Sequence, residues 1–198
     1  MTPAELITDP DWLRTQIGLA ARRYGCAPAD VLGTVWWYSA SSVLVAPSLE
    51  SLVRTGRPLD PALPAMTLDI LDDGRIAEAR SSRVLDGDLG PAMAAALTAA
   101  IGSVVAVTGA HARALHAIAT DSIANRLLWM DATALAGPLV ESIGLGMPRP
   151  RYLEVNGTPV VRRASCCLIY QATAQPKCLS CPRQPPAERM ARLRAALG

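Results

Sequence analysis

The C-terminal part of the chain contains, at residues 163–182, the stretch RASCCLIYQATAQPKCLSCP. It carries four cysteines, Cys166, Cys167, Cys178 and Cys181, in the pattern C-C-x10-C-x2-C. Four thiolates are enough soft ligands to complete a tetrahedral zinc site or to hold an iron–sulfur cluster. We therefore predict that this part of the chain folds around a metal centre.

A pair of disulfides is the competing interpretation of the four cysteines. Cys166 and Cys167 are adjacent and cannot easily bond to each other, so each would have to bridge to the following loop, which strains the disulfide geometry. Cys26 would be left over, and Glu5 and Asp9 occupy positions where a secretion signal has a basic start and an apolar run. The sequence therefore favours a reducing compartment and metal binding over disulfides or inert thiols.

Spacing alone leaves two kinds of metal centre open. Zinc ribbons usually present two C-x2-C pairs, whereas here only Cys178 and Cys181 form one. Cys166 and Cys167 would point to opposite faces of a strand, so both reach one centre only where the backbone turns. A two-iron cluster tolerates that turn better than one ion does, and Pro182 follows the last cysteine as in ferredoxin runs. An iron–sulfur protein and a zinc-stapled binding module both remain open.

Residues 163–170, RASCCLIY, followed by residues 178–182, CLSCP, look like the C-terminal motif of the FhuF-type ferric siderophore reductases. The C-C-x10-C-x2-C spacing is characteristic of that motif. Residues 121–129, DSIANRLLW, are similar to the central helical motif of the same family, with less specificity. The resemblance covers the C-terminal segment well and the remainder of the chain loosely.

This resemblance implies one-electron reduction of the iron in a ferric siderophore. It also implies a [2Fe-2S] cluster bound by Cys166, Cys167, Cys178 and Cys181, which would be both the metal ligands and the catalytic centre. An iron–sulfur scaffold or sensor of siderophore metabolism, without turnover, is the alternative that keeps the same cofactor.

Four residues form the predicted substrate site. Asn125, Arg126 and Trp129 lie within about one turn of a predicted helix, where residues four positions apart share a face. Arg126 would meet an anionic chelate and Trp129 would provide a flat wall. Arg163, beside the cysteines, completes the set. The competing interpretation has Trp129 buried in the core and Arg126 facing water.

Charges and donors near the cysteines are expected to set the potential of the centre. Arg162, Arg163 and Arg183 place positive charge near it, which would stabilise the reduced form, although surface arginines are also common without such a role. The backbone amides of Leu179 and Ser180 are candidate hydrogen-bond donors to sulfur.

Composition and two hairpin signals predict an α+β fold in one domain, residues 1–198. The chain is 51% hydrophobic and lacks phenylalanine, so alanine and leucine must fill much of the core, which favours helices. We expect residues 1–150 to form a mainly helical, substrate-binding part and residues 151–198 to form the iron–sulfur region. The net charge of +2 argues against nucleic acid as a partner.

The sequence also predicts the electron source and the location. Gly144-Leu145-Gly146 lacks the third glycine of a dinucleotide fingerprint, so electrons are expected from an external donor, a ferredoxin or a flavin or NAD(P)H reductase. Gly90 to Ala110 contains no charged residue but is rich in alanine and glycine, which favours a buried helix over a transmembrane segment. We expect a cytoplasmic protein, with peripheral contact to the inner membrane compatible with the import of chelates.

Periodicity and turn residues predict the main elements. Two hairpins are expected around Asp72-Asp73-Gly74 and Asn156-Gly157. Helices are expected from about residues 9–25, 28–38, 89–101, 111–131, 131–143 and 187–197. The centre would then lie between the end of the second hairpin and the last helix. Cys26 is expected to be a core thiol.

Overall fold

A computed structural model of residues 1–198 shows eight α-helices and two small antiparallel sheets. The helices are α1 Pro10–Tyr24, α2 Ala29–Leu44, α3 Ala46–Thr55, α4 Leu89–Thr108, α5 Ala112–Trp129, α6 Ala136–Ile143, α7 Ile169–Ala172 and α8 Pro186–Ala196. The strands are β1 Thr2–Pro3, β2 Met66–Ile70, β3 Ile76–Ser81, β4 Tyr152–Val155 and β5 Thr158–Val161. The chain is a single α+β domain, as the composition predicted.

The start of α1 follows from its sequence. Asp9 stands just before the helix, and its carboxylate accepts hydrogen bonds from the amides of Asp11 and Trp12 at 2.8 and 2.9 Å. A carboxylate at this position satisfies amides that have no partner inside the helix. The helix then buries Leu13 and Ile17 and ends at Gly25, so this prediction is confirmed.

Helix α2 lies at the centre of the core because both of its tryptophans are buried. The indole N–H of Trp36 donates to the carbonyl of Gly74 at 3.0 Å, and that of Trp37 donates to the carbonyl of Leu115 at 2.9 Å. Gly74 has φ +77°, and a Cβ there would lie 2.3 Å from the carbonyl oxygen of Gln16. Only glycine fits where the first hairpin turn meets α1 so closely.

Helices α2 and α5 pack directly against each other. The hydroxyls of Ser41 and Ser122 form a buried hydrogen bond of 2.7 Å between the two helices. Two small side chains with paired hydroxyls let the helices approach without leaving a buried polar group unsatisfied. This helix pair supports the candidate site.

Helix α4 is long and apolar enough to cross a membrane by length and composition. One of its faces, with Met93, Leu97, Ile101 and Val104, is buried in the main core. The helix continues through Gly102, where the sequence suggested an interruption, and ends at Gly109 with φ +72°.

Both predicted hairpins are present, but they belong to separate sheets. Strands β2 and β3 pair antiparallel and gain a third strand, β1, from the N-terminus. Strands β4 and β5 form their own two-stranded sheet, with Asn156 at φ 51° and Gly157 at φ 77° in the turn. This hairpin is fixed to α5 by the Tyr152 hydroxyl, which donates to the carbonyl of Ala124 at 3.1 Å.

Three local expectations need correction. Helix α3 was not predicted, and the chain enters it directly from α2, with Pro47 in its first turn, where no backbone N–H is needed. Helix α6 begins at Ala136 rather than Asp131, which adopts φ 54° after α5. Cys26 is exposed, because it lies in the short loop between α1 and α2 rather than in the core.

Candidate metal centre and adjoining cleft

The four clustered cysteines lie on an irregular segment between β5 and α8, which we call the cluster loop, residues 162–185. The chain bends at Ala164 and Ser165, so Cys166 and Cys167 are outside any strand. Leu168 follows with φ 61° and starts the short helix α7. The turn that adjacent ligands require is therefore present, and α7 is an element that the sequence did not indicate.

The four thiols are free and lie together on the cluster loop. The Sγ atoms of Cys166 and Cys181 are 3.5 Å apart, and the guanidinium of Arg163 lies within 3.8 Å of the Sγ atoms of both Cys167 and Cys178. Cys178 is exposed, whereas the other three are buried. No three of the chain's His, Cys, Asp and Glu side chains surround a single ion position. Four thiols on one loop supply the ligand set that a [2Fe-2S] cluster needs.

The pKa values of these thiols shift in different directions. The neighbouring thiols of Cys166 and Cys178, the amide of Ile169 and the charge of Arg163 lower the pKa of Cys167. Cys167, together with burial, raises the pKa of Cys166, and the same two causes raise that of Cys178. The thiolate form is thus favoured at Cys167.

Two backbone amides at the start of α7 lie near the sulfurs. The amide of Leu168 opposes the rise in the pKa of Cys166, and that of Ile169 helps to lower the pKa of Cys167. The left-handed conformation of Leu168 places these amides beside the adjacent cysteines. The amides of Leu179 and Ser180, which the sequence suggested for this role, stay a prediction.

Arg163 is a buried cation beside two of the thiols. Its Nη1 lies 3.8 Å from the Sγ of Cys167 and 3.5 Å from that of Cys178. The guanidinium also stacks on the ring of Tyr38, 4.7 Å from the ring centre. Burial lowers the pKa of Arg163, but the neighbouring Tyr38, Cys167 and Asp121 outweigh it and raise that pKa above its usual value. A buried guanidinium here matches a set of negatively charged thiolates.

Asp121 is a site residue to which the sequence analysis gave no role. Its carboxylate accepts hydrogen bonds from the amides of Ala164 and Ser165, at 2.8 and 3.2 Å, immediately before the adjacent cysteines. Burial raises the pKa of Asp121, and these amides and Arg163 oppose that rise. Asp121 is the one acidic residue of α5, in a run that is otherwise largely apolar, and that contrast was the available signal.

The comparison with protein families agrees with this geometry. Residues 163–183 match the family model of the FhuF 2Fe-2S C-terminal domain. The matched segment contains Arg163 and all four clustered cysteines. The description of the family model names a [2Fe-2S] cluster as the cofactor. No curated protein matches the chain. The match supports the resemblance to the FhuF type and favours iron–sulfur over the zinc-stapled module that spacing had left open.

A cleft of about 790 Å³ adjoins residues 163–183, which we call the FhuF-type segment. It lies between α2 and α5 on one side and β5 and α8 on the other, and Leu179 and Ser180 of the cluster loop contribute to its wall. Trp129, Leu179 and Leu197 line it and are 65%, 44% and 38% exposed, although most large apolar side chains of the chain are covered. An apolar concavity of this size is typical of a small-molecule site.

Three of the four predicted substrate residues line this cleft, namely Asn125, Trp129 and Arg163. The exposure of Trp129 shows that it is not a core anchor. Asn125 uses its side-chain amide to donate to the carbonyl of Asp121 at 2.8 Å. Arg163 reaches the cleft from the thiol side.

Arg126 does not line the cleft. Its guanidinium donates to Glu50 at 2.9 Å and to the carbonyl of Ser42 at 3.0 Å, which ties α5 to α2 and α3. The same group lies 5.1 Å from the centre of the Trp129 ring. Arg126 thus stacks on Trp129 from outside the lining of the cleft, and its contact with a chelate stays a prediction.

Proposed function

We propose that this protein is a ferric siderophore reductase that transfers one electron to the iron of a bound chelate. The observation that carries the proposal is the cleft beside the FhuF-type segment, which brings a small-molecule site against the cysteine-bearing loop. Leu179 belongs to that wall and directly follows Cys178, the exposed thiol. A chelate in the cleft would thus lie next to the centre.

The four clustered cysteines are the proposed ligands of the [2Fe-2S] cluster, which supplies electrons one at a time. Around it, Arg163 and the amides of Leu168 and Ile169 direct positive charge and N–H groups at the sulfurs. Each of these groups favours the more negative state at the thiolates, so together they raise the potential.

The chemistry of iron release explains why one electron is enough. Siderophores hold ferric iron through hard oxygen ligands and bind ferrous iron far less tightly, so a single electron loosens the complex. Trp129 and Leu179 would cover the apolar frame of the chelate. The hydroxyls of Ser39 and Ser42 and the amide of Asn125 offer polar contacts at the same wall.

The test measures whether reduced holoprotein gives its electron to a ferric chelate. Chemically reduced protein is mixed with a ferric hydroxamate or a ferric catecholate, with and without a ferrous chelator, and reoxidation is followed by visible absorbance. We expect reoxidation, faster and more complete with the chelator present, because removal of ferrous iron draws the equilibrium forward by mass action. Each ~59 mV of unfavourable potential lowers a one-electron equilibrium constant about tenfold.

Protein that stays reduced with every chelate tried, even with the ferrous chelator, refutes the reductase. The scaffold or sensor function, which keeps the cluster without turnover, would then replace it. The proposal places this reaction in the cytoplasm, where an external donor supplies the electrons.

A further inference from the structure

Charge is distributed unevenly between the two parts of the chain. Residues 151–198 contain eight Lys or Arg and two Asp or Glu, a net charge of +6, whereas residues 1–150 contain 11 and 15, a net charge of −4. The overall value of +2 conceals this contrast. Residues 151–198 are therefore strongly basic, whereas residues 1–150 are weakly acidic. An uneven charge distribution of this kind steers acidic partners toward one side of a protein.

Three of these cations lie on the cluster loop or are hydrogen-bonded to it from α8, and we call them the basic rim: Lys177, Arg183 and Arg192. Lys177 directly precedes Cys178, the exposed thiol, and Arg183 follows Cys181 by two positions. None of the three lines the large cleft. The rim thus lies at the thiol edge without blocking the cleft proposed for the chelate.

The basic rim is held in place by hydrogen bonds. The Nζ of Lys177 donates to the carbonyl of Arg183 at 3.1 Å, and Arg192 donates to the carbonyl of Lys177 at 3.1 Å. Arg183 donates to the hydroxyl of Tyr170 at 3.0 Å. These bonds use backbone and hydroxyl acceptors, and no carboxylate neutralises any of the three charges. Fixed side chains lose less entropy when a partner binds.

A second recess leads to the thiols from a different side. It has a volume of about 320 Å³ and is lined by Cys166, Pro182 and Arg183 of the cluster loop. It shares no residue with the large cleft, and Asp30 is its one acidic lining residue. The cleft proposed for the chelate and this recess beside Cys166 are therefore separate, so a chelate and a protein could be bound at the same time.

We propose that the basic rim is the docking surface for an acidic, protein-borne one-electron carrier that reduces the cluster. This inference rests on the proposed function, because it supplies the electron that the reductase passes on. In the step, one electron leaves the reduced carrier and enters the oxidised cluster, and no bond forms or breaks. A protein is favoured over an anionic membrane because the large exposed apolar side chains near the loop, Leu179 and Leu197, face the cleft and leave the rim without a membrane-inserting face.

The test compares charge-neutral variants of the rim with a matched control. Oxidised holoprotein is mixed in a stopped-flow instrument with a pre-reduced acidic ferredoxin, and separately with a pre-reduced acidic flavodoxin, over a range of ionic strength. We expect Lys177→Gln/Arg183→Gln to lower the second-order rate constant about tenfold at low salt for the carrier that docks, and to match wild type at high salt. The control, Arg22→Gln/Arg57→Gln, removes the same charge from exposed arginines outside residues 151–198 and should leave the rate constant unchanged.

Two further measurements separate docking from other effects of charge. The midpoint potential of each variant is measured by redox titration, because salt screens both docking and the effect of an exposed charge on the cluster. An unchanged potential assigns the slower reduction to docking, whereas a lowered potential that accounts for the rate loss would overturn it. The affinity of oxidised protein for oxidised carrier, measured by calorimetry, should fall in Lys177→Gln/Arg183→Gln and fall further in Lys177→Glu/Arg183→Glu.

Rates that do not depend on salt for either carrier, or equal losses in rim and control variants, would overturn the docking surface. Rim-dependent binding to vesicles of phosphatidylserine and phosphatidylcholine, with carrier affinity unchanged, would also overturn it in favour of a membrane. Reoxidation by ferric chelate is measured separately on the same variants. If ferric chelate fails to reoxidise these variants while carrier docking is intact, the result counts against the proposed reductase function and not against the docking surface.

Discussion

The carboxylate of Asp121 lies 3.6 Å from the Nε of Arg163, and the two side chains are only 4% and 5% exposed. This pair connects α5 to the cluster loop, because Asp121 also holds the amides of Ala164 and Ser165. Arg163 in turn faces the sulfurs of Cys167 and Cys178. The helical scaffold thus fixes both the shape of the loop and the charge beside the centre.

Replacing Asp121 with asparagine should destabilise the loop. Asp121→Asn leaves Arg163 as a buried cation without its carboxylate and turns one acceptor into a donor that faces a backbone N–H. We expect the free energy of unfolding to fall by about 3 kcal/mol, the range seen when one partner of a buried ion pair is removed. Urea denaturation followed by tryptophan fluorescence measures this, and iron loss to a chelator should be faster.

Asp131→Asn is the matched control for this change. Asp131 is exposed and has φ 54°, a conformation that asparagine adopts readily. Its unfolding free energy should stay within about 0.5 kcal/mol of wild type. If Asp121→Asn is as stable as this control, the pair does not hold the loop.

Arg163 should raise the reduction potential of the cluster. Its guanidinium is buried 3.8 and 3.5 Å from the Sγ atoms of Cys167 and Cys178. At an effective dielectric constant of about 20, one charge beside the centre contributes on the order of 2 kcal/mol, or about 100 mV for one electron. We expect Arg163→Gln to lower the midpoint potential by about that amount, and Arg163→Lys to lower it much less. Redox titration followed by electron paramagnetic resonance measures the shift.

Arg162→Gln provides the comparison, because Arg162 is the adjacent arginine but is exposed. Solvent screens the charge of Arg162, so the midpoint potential of the Arg162→Gln variant should stay close to that of wild type. Equal shifts in the two variants would mean that position along the chain, rather than burial against the sulfurs, sets the effect.

The sequence predicted those elements whose signals are local. The cap at Asp9 and the turn at Asn156-Gly157 each depend on residues within a few positions, and both appear where expected. The strand β1 has only two residues and exists because β2 provides a partner more than sixty positions later. No local pattern could have indicated it.

The candidate site shows the same division. The spacing of the cysteines indicated a metal centre, since ligand type and separation are written in one short segment. The pairing of Asp121 with Arg163 and that of Arg126 with Glu50 join residues far apart in the chain, so they required the fold. Arg126 was predicted to face the chelate, and its long-range ion pair with Glu50 holds it outside the lining of the cleft.

The cofactor prediction concerns which thiols bind the cluster. Aerobically purified protein should be reddish-brown, with about two iron and two sulfide per chain. Cys178→Ser or Cys181→Ser should abolish the cluster or strongly lower its content, because one of the four proposed thiolate ligands is lost. Iron and labile-sulfide assays with the visible spectrum measure this.

Cys26→Ser is the control and should keep the full cluster, since Cys26 lies in a separate exposed loop. Zinc in stoichiometric amount without sulfide would contradict the assignment.

Trp129 should contribute to chelate binding without affecting the fold. It is 65% exposed and lines the cleft, so Trp129→Ala removes a large apolar wall at little cost in stability. We expect KM for the ferric chelate to rise about tenfold, which corresponds to about 1.4 kcal/mol, with kcat nearly unchanged. Steady-state kinetics measures both constants, and Leu135→Ala, an exposed apolar residue outside the cleft, should change neither.

Arg126 tests whether Trp129 acts as a positioned wall. Arg126 stacks on Trp129 but does not line the cleft, so Arg126→Ala should raise KM less than Trp129→Ala does. The double variant should be no worse than Trp129→Ala alone, because two residues that act through one surface are not additive. Independent, additive effects would instead show that the Arg126 guanidinium contacts the chelate directly.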